Sequence, residues 1–524
     1  MPDSTALGID LGTTLSVVAQ VSTDGTPVVL PNADGSPTTP SVVLFDGTTA
    51  VVGAAARDHL ASDPESVVQL VKRHMGSDWT FDYQGVGYRP EHVCALILRK
   101  LHHDAQRLAG EVRQAAVTVP AYFNDPMRSA TRRAAELAGL DVVGLLSEPT
   151  AAALAFGYDR RPEGATGVVV DLGGGTFDVT VMDYDGHQLA VRATGGDFYL
   201  GGTNFDKVLF DYFAERFRTE HGIDVHDPEA LSLDEYIQVS QDWLSQAIAA
   251  KHDLTDAGLT VVALQAAGLL LRVEVSRETF IARSAPLLDE VSEKITDVLA
   301  DAGVAAKDVS FVLAAGGSTR VPAVRERIAA IFGTAPDTSV PPDEAVALGA
   351  ALFAARQQIE YGGAPELEAS AREYLEKLTI TDVAAHTVGV TVIDGGQADG
   401  LPTAPGRQVM QALLPRNTTL PVEAKRTLLT ARADERRIVV PVLEGEHSDP
   451  QFCRRIGEVV IDGLPPGRPA HQQVQVTMRL DKDGILQVSA ADVETGMAAS
   501  TTIVHAYQQA DLTADEAVRA MDVK

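Results

Sequence analysis

The chain has 524 residues, 45% of them hydrophobic and 22% charged. This is a globular composition, long enough for roughly three or four domain-sized units. A formal net charge of −29 repels phosphate backbones and anionic bilayers, which argues against general nucleic-acid binding and membrane docking. It leaves room for anions held locally by glycine-rich loops.

The N-terminus, MPDSTALGIDLGTT, has neither a basic n-region nor a long apolar h-region, so no secretory leader is expected. The first strand, LGID, runs into a Gly/Thr turn and a second strand, SVVAQV. Next come the run AVTVP and a helix over PMRSATRRAAELAGL, stopped at Gly139. EPTAAALAFG predicts a further helix. GVVVD then leads into GGGT and FDVTVM, an echo of the opening GIDLGTT. The echo predicts two similar α/β lobes facing each other across a cleft. The apolar stretch VVALQAAGLLL is too short to span a bilayer, and a cytoplasmic location is expected. SAPLLDEVSEKITDVLADAG and VPAVRERIAAIFG read as helices on either side of the strand FVLAAGG. Alternation of strands and helices predicts an α/β architecture over residues 1–375. After ELEASAREYLEKL comes a linker, placed at 376–384. Residues 385–507 alternate with period two in runs such as QVQVTMRL and GILQVSAAD, with a hairpin signal at DKDG, and predict a β-sandwich. Thr513 and Glu516 have capping-box spacing, so a short helical stub is expected over 508–524. Cys94 and Cys453 stand alone and predict neither a disulfide nor a zinc site.

Three glycine motifs carry chemistry. Gly12, Thr13 and Thr14 form one turn and Gly173, Gly174, Gly175 and Thr176 the second; backbone N–H groups and hydroxyls in such turns cradle phosphate oxygens. Asp10 and Asp171 stand just before them, where carboxylates suit a hydrated Mg2+. Plain hairpins with glycine turns are the alternative. In the third motif, Gly316, Gly317, Ser318 and Arg320 lead into a helix opened by Pro322, whose N-terminus suits an anion. A tight strand–helix turn would look the same.

Taken together, IDLGTT, VTVPAYFND, SEPTAAALAFG, VVDLGGGTFDVT, GGTNFD, AAGGSTRVPAV and PPDEAVALGAAL, in this order, resemble the seventy-kilodalton heat-shock chaperones of the bacterial DnaK type, over residues 5–507. The resemblance implies a multidomain chain: an α/β, actin-like, two-lobed ATPase domain followed by a β-sandwich peptide-binding domain. ATP or ADP would bind between the lobes with Mg2+, and K+ is a further candidate ion. Lys72, Glu148, Asp171 and Thr176 match catalytic positions. Asp10, Asp171 and Asp178 match the metal-side carboxylates, and Lys251 and Asp343 match residues beside the nucleoside. Pro120 and Arg128 match a relay between domains. Val390, Ile393, Leu428, Ile438, Val440 and Val474 match an apolar peptide pocket. The implied partners are extended peptide clients, a J-domain co-chaperone and a nucleotide-exchange factor.

Departures from the family pattern lead to further expectations. Ile248, His252 and Thr255 replace polar residues beside the base, which puts purine affinity in question. Thr379 and Thr381 replace linker leucines, so weaker interdomain coupling is expected. With only a stub after the sandwich, the long helical lid is expected to be absent and peptide release fast in both nucleotide states. These departures motivate a second reading, a nucleotide-gated adaptor with one dedicated partner and little hydrolysis.

Overall fold

The computed structural model describes residues 5–60, 62–160, 163–227, 229–394, 407–502 and 512–524. The sequence echo is a structural repeat. In the first sheet, Leu7–Asp10 pairs antiparallel with Leu15–Val21 and parallel with Gln114–Val119. In the second, Ala165–Leu172 pairs antiparallel with Phe177–Asp185 and parallel with Phe311–Ala315. Each lobe therefore has a central strand ending in an acidic residue, with a turn to an antiparallel neighbour. The parallel partner arrives after a longer crossover, as parallel pairing requires.

Two helices, Glu148–Arg160 and Ala345–Glu360, pack between the lobes. Their Ala- and Gly-rich sequences are explained by how closely the backbones approach. A Cβ on Gly349 would lie 1.7 Å from the Ala151 carbonyl oxygen, and one on Gly8 would lie 2.0 Å from the Ala351 nitrogen. The core around these helices takes residues from both sheets, including Val17 and Val169. The phosphate-type turns are thus mounted on one continuous hydrophobic unit.

The second part is a sandwich of two four-stranded antiparallel sheets. Gln473–Leu480 shows the expected alternation, with Val474, Val476, Met478 and Leu480 facing the core. The DKDG signal is a turn, with Gly484 at φ 75° joining Gln473–Leu480 to Leu486–Asp492.

The domain connections carry regular structure. The stretch 376–384, expected as a linker, holds a strand. The helix Ala369–Lys377 runs into it, and Thr379–Thr381 adds a parallel strand to the edge of the second lobe's sheet beside Gln188–Asp197. Threonine suits an edge strand, while the flanking Leu378 and Val383 are 1% and 2% exposed. Apolar anchoring has moved to either side of the threonines, so weaker docking does not follow from them. The C-terminal helix, Leu512–Ala520, starts before Thr513, which therefore sits inside its first turn. It packs on Pro90–Ala109, and Asp522–Val523 pairs parallel with Thr49–Val52. Val518, Met521 and Val523 join the first lobe's core. Asp515 takes Arg133 at 2.8 Å and His92 Nε2 at 3.0 Å. The Arg89 N–H donates to His92 Nδ1, which places the ring proton on Nε2, facing Asp515. Among the described residues, no helix is long and apolar enough to cross a membrane.

Candidate nucleotide site and interdomain contact

The two Gly/Thr turns meet across the lobes. A Cβ on Gly174 would be 2.5 Å from Thr14 Oγ1, and one on Gly175 would be 2.7 Å from Thr13 Cγ2. A loop that holds an anion must turn its carbonyls away from it. Here the Gly173 oxygen accepts from Ser318 Oγ and Gly202 N, the Gly174 oxygen from Thr203 N, and the Gly175 oxygen from Arg73. The first turn is held similarly, with Ser41 donating to the Gly12 oxygen and Gly12 N–H donating to Ser16.

Four carboxylates gather beside these turns: Glu148, Asp171 and Asp178 are buried and Asp10 is half-buried. Lys72, in a single 3-10 turn (Val71–His74), is also buried, with Nζ 2.5 Å from Glu148 Oε1. Burial lowers the Lys72 pKa, but Glu148 and Asp10 outweigh it and the net shift is upward, so the lysine is charged. Burial, reinforced by Glu148, pushes Asp10 and Asp178 up to about 7. Asp171 is raised well above the usual range by burial and then by its three acidic neighbours. Thr118 Oγ1 donates to Asp10 at 3.2 Å, and the Tyr122 N–H donates to Asp178 at 3.0 Å. One ammonium among four carboxylates leaves an excess of negative charge that a divalent cation would relieve. Among the described residues no group of three or more His, Cys, Asp or Glu side chains converges to hold an ion directly. Carboxylate oxygens are the donors that a hard divalent cation takes.

Of the remaining residues expected to contact nucleotide, Arg320 and Asp343 pair with each other, Nε to Oδ2 at 3.0 Å. Lys251 turns inward to Asp206 at 2.7 Å and to the Gly202 carbonyl at 3.3 Å. His252 is exposed and Ile248 is 37% exposed on the same helix, Leu233–Asp256. Thr255 donates to the Lys251 carbonyl, so its hydroxyl serves its own helix.

Pro120 follows the strand Gln114–Val119, and its carbonyl accepts from Phe123 N. Arg128 is 5% exposed and donates to three carbonyls: Ala121 and Phe123 in its own lobe, and Asp483 in the sandwich. The Asp483 carboxylate pairs with Arg132 and accepts from Leu145 N–H at 3.1 Å. Asp125 accepts from Leu486 N–H at 2.6 Å. The DKDG turn, read from sequence only as a hairpin, is the plug that seats the sandwich on the first lobe. Sequence reasoning also passed over Arg73, Tyr122 and His386. Arg73 bridges the lobes from the residue after Lys72, and only its position in VKRH offered a signal.

The proposed pocket residues do not gather at one surface. Val390, Ile438, Val440 and Val474 are in the sandwich core with Leu428 packed against them, whereas Ile393 is 53% exposed. Residues 390 and 393 are an odd number of positions apart on one strand and so face opposite sides. Val392 shares the core face with Val390 instead.

A two-lobed cleft with paired phosphate-type turns and a lysine–carboxylate cluster, joined by a docked strand to a β-sandwich, defines a nucleotide-hydrolysing machine with an attached binding module. The family model described as Hsp70 protein matches residues 6–86 and 80–523. The chain is 35% identical over 525 residues to Chaperone protein DnaK of Thermotoga petrophila, covering 98% of this chain and 82% of the relative. It is 35% identical to that of Thermosipho africanus (96% and 80% covered) and 36% identical to that of Thermotoga neapolitana (97% and 82%). The chain belongs to the Hsp70 family of ATP-dependent chaperones.

Proposed function

We propose that this chain binds extended apolar peptide segments through its sandwich and sets their affinity by ATP hydrolysis in the cleft. The observation that carries the reading is the linker strand, Thr379–Thr381. It lies in the same sheet as Asp171 and Asp178, one strand away from the strand that holds Asp178. A change at the nucleotide turns and a change at the sandwich therefore act on one hydrogen-bonded sheet.

In this reading, Asp10, Asp171 and Asp178 hold a hydrated Mg2+, which would neutralise phosphate charge and polarise the bond to the terminal phosphoryl group. Thr13, Thr14, Thr176 and the N–H groups of Gly174 and Gly175 orient the phosphates. Lys72 offsets charge developing on the transferred group, and Glu148 holds that ammonium in place. Glu148 and Asp178 are the groups we assign to accept a proton from the attacking water. The sandwich takes its client by backbone pairing, with apolar side chains seated near the ends of its strands. A J-domain protein and a nucleotide-exchange factor are the partners proposed for the cycle, and the cytoplasm its place.

The test is single-turnover ATP hydrolysis by Lys72→Ala. Turnover should fall at least about a hundredfold, while nucleotide binding by calorimetry persists. Equal turnover in the variant and the parent would remove Lys72 from the chemistry.

A further inference from the structure

We propose that His386 is a positioning residue through which the docked sandwich sets the Asp178 carboxylate, an inference that rests on the nucleotide-site reading above. His386 lies two residues before the sandwich strand Val388–Asp394. Its Nε2 is 2.9 Å from the Tyr122 carbonyl oxygen. A carbonyl only accepts, so Nε2 carries the proton. The ring stands edge-on against Tyr122, with centroids 4.2 Å apart and an interplanar angle of 60°. Tyr122 in turn donates its backbone N–H to Asp178 Oδ1 at 3.0 Å. A single residue thus separates the sandwich from a buried carboxylate of the nucleotide site.

The surroundings make this more than one contact. Three successive carbonyls, of Ala121, Tyr122 and Phe123, are held by Arg128, His386 and Arg128 respectively. Arg128 is itself tied to the Asp483 carbonyl of the sandwich. The segment 121–123 is therefore gripped through its oxygens by groups that belong to the sandwich or are anchored on it. The Tyr122 N–H on the other edge of that segment points at Asp178. Undocking the sandwich removes the His386 bond and the anchor of Arg128 together. The segment is then free to rotate about the Tyr122 backbone, and the Asp178 bond loosens with it. A carboxylate oxygen that gives up an N–H donor is less fixed in place, so docking holds the orientation of Asp178 and undocking releases it.

The experiment compares the full-length wild type with His386→Leu and His386→Gln. Leu removes the donor and keeps an apolar side chain; Gln keeps an N–H donor at a similar reach. Single-turnover ATP hydrolysis is measured without peptide and with a saturating Leu-rich peptide. Hydrogen exchange at the Tyr122 amide and across residues 379–381 is followed in ATP. The expected result is that Leu raises the peptide-free rate about fivefold or more, towards the peptide-stimulated wild-type rate, and speeds exchange at Tyr122, while Gln stays close to wild type in both. If Leu and Gln behave alike, whether both changed or both unchanged, the donor has no role and the proposal is overturned. This holds even if Leu undocks the sandwich, because Gln then decides. Wild type that responds to peptide while the two variants match sinks this inference alone. Wild type that neither hydrolyses ATP nor responds to peptide sinks the underlying reading as well.

Discussion

At the scale of single residues, charge balance governs the site. Asp10 and Asp178 ionise near pH 7 in the folded chain, against an ordinary carboxylate value of about 4 when unfolded. Between those values the folded state holds more protons, so these groups' contribution to stability is lost as pH rises from about 4 through 7. Cation binding must displace the same protons. Mg2+ should therefore bind more tightly at pH 8 than at pH 6 and release protons as it does so; calorimetry in buffers of different ionisation heat measures this, and binding without proton release would contradict it. Lys72→Ala removes the one ammonium facing four carboxylates, so it should also lower stability by about 3 kcal/mol, read from denaturant midpoints. Asp10, Asp171 and the glycines after them were legible in the sequence because they stand where a strand runs into a turn in a repeated motif, whereas Glu148 and Asp178 came only from the family resemblance. Tyr122 and His386 were not legible, since they act through backbone groups or across domains, and neither leaves a composition signal.

At the scale of elements, the linker strand is where the sequence misled. Thr379 and Thr381 looked like lost hydrophobic anchoring. Edge pairing with Gln188–Asp197 uses backbone bonds that any side chain supplies, and the anchoring comes from Leu378 in the core between the lobes. Leu378→Asp would put a charge at a position 1% exposed without a partner and should expel the linker. The expected outcome is loss of protection at 379–381 in hydrogen exchange and loss of any ATP effect on peptide affinity, with nucleotide binding retained. The sandwich strands were read correctly from their period of two. The pocket residues were named without regard to that period, and Val390 and Ile393 face opposite sides of their strand. The C-terminal helix was expected from its capping residues, but its seat was not. The Asp515 contacts lie on helices more than 380 residues earlier in the chain, and no local pattern reports such a distance.

At the scale of the whole molecule, ties between the sandwich and the lobes include the linker strand on the second lobe, the DKDG turn and His386 on the first, and Arg416 on Asp301, while the C-terminal helix and strand pack on the first lobe. The two-lobed plan was legible from the repeated motif, because duplication leaves its mark on sequence. Docking was not, because it depends on surfaces meeting. Asp483 is the most committed of these contacts, holding Arg132 and the Leu145 N–H together. Asp483→Ala should leave both unmatched and shift the population towards undocked molecules, seen as a larger radius of gyration in ATP by X-ray scattering; an unchanged radius would show that the turn adds nothing to docking. The central claim is that this docking couples the cleft to the sandwich. It is tested most directly by fluorescence anisotropy of a short Leu-rich labelled peptide, titrated with the full chain in ATP and then in ADP. The account predicts binding about fivefold or more tighter in ADP, and equal affinity in the two nucleotides would contradict it.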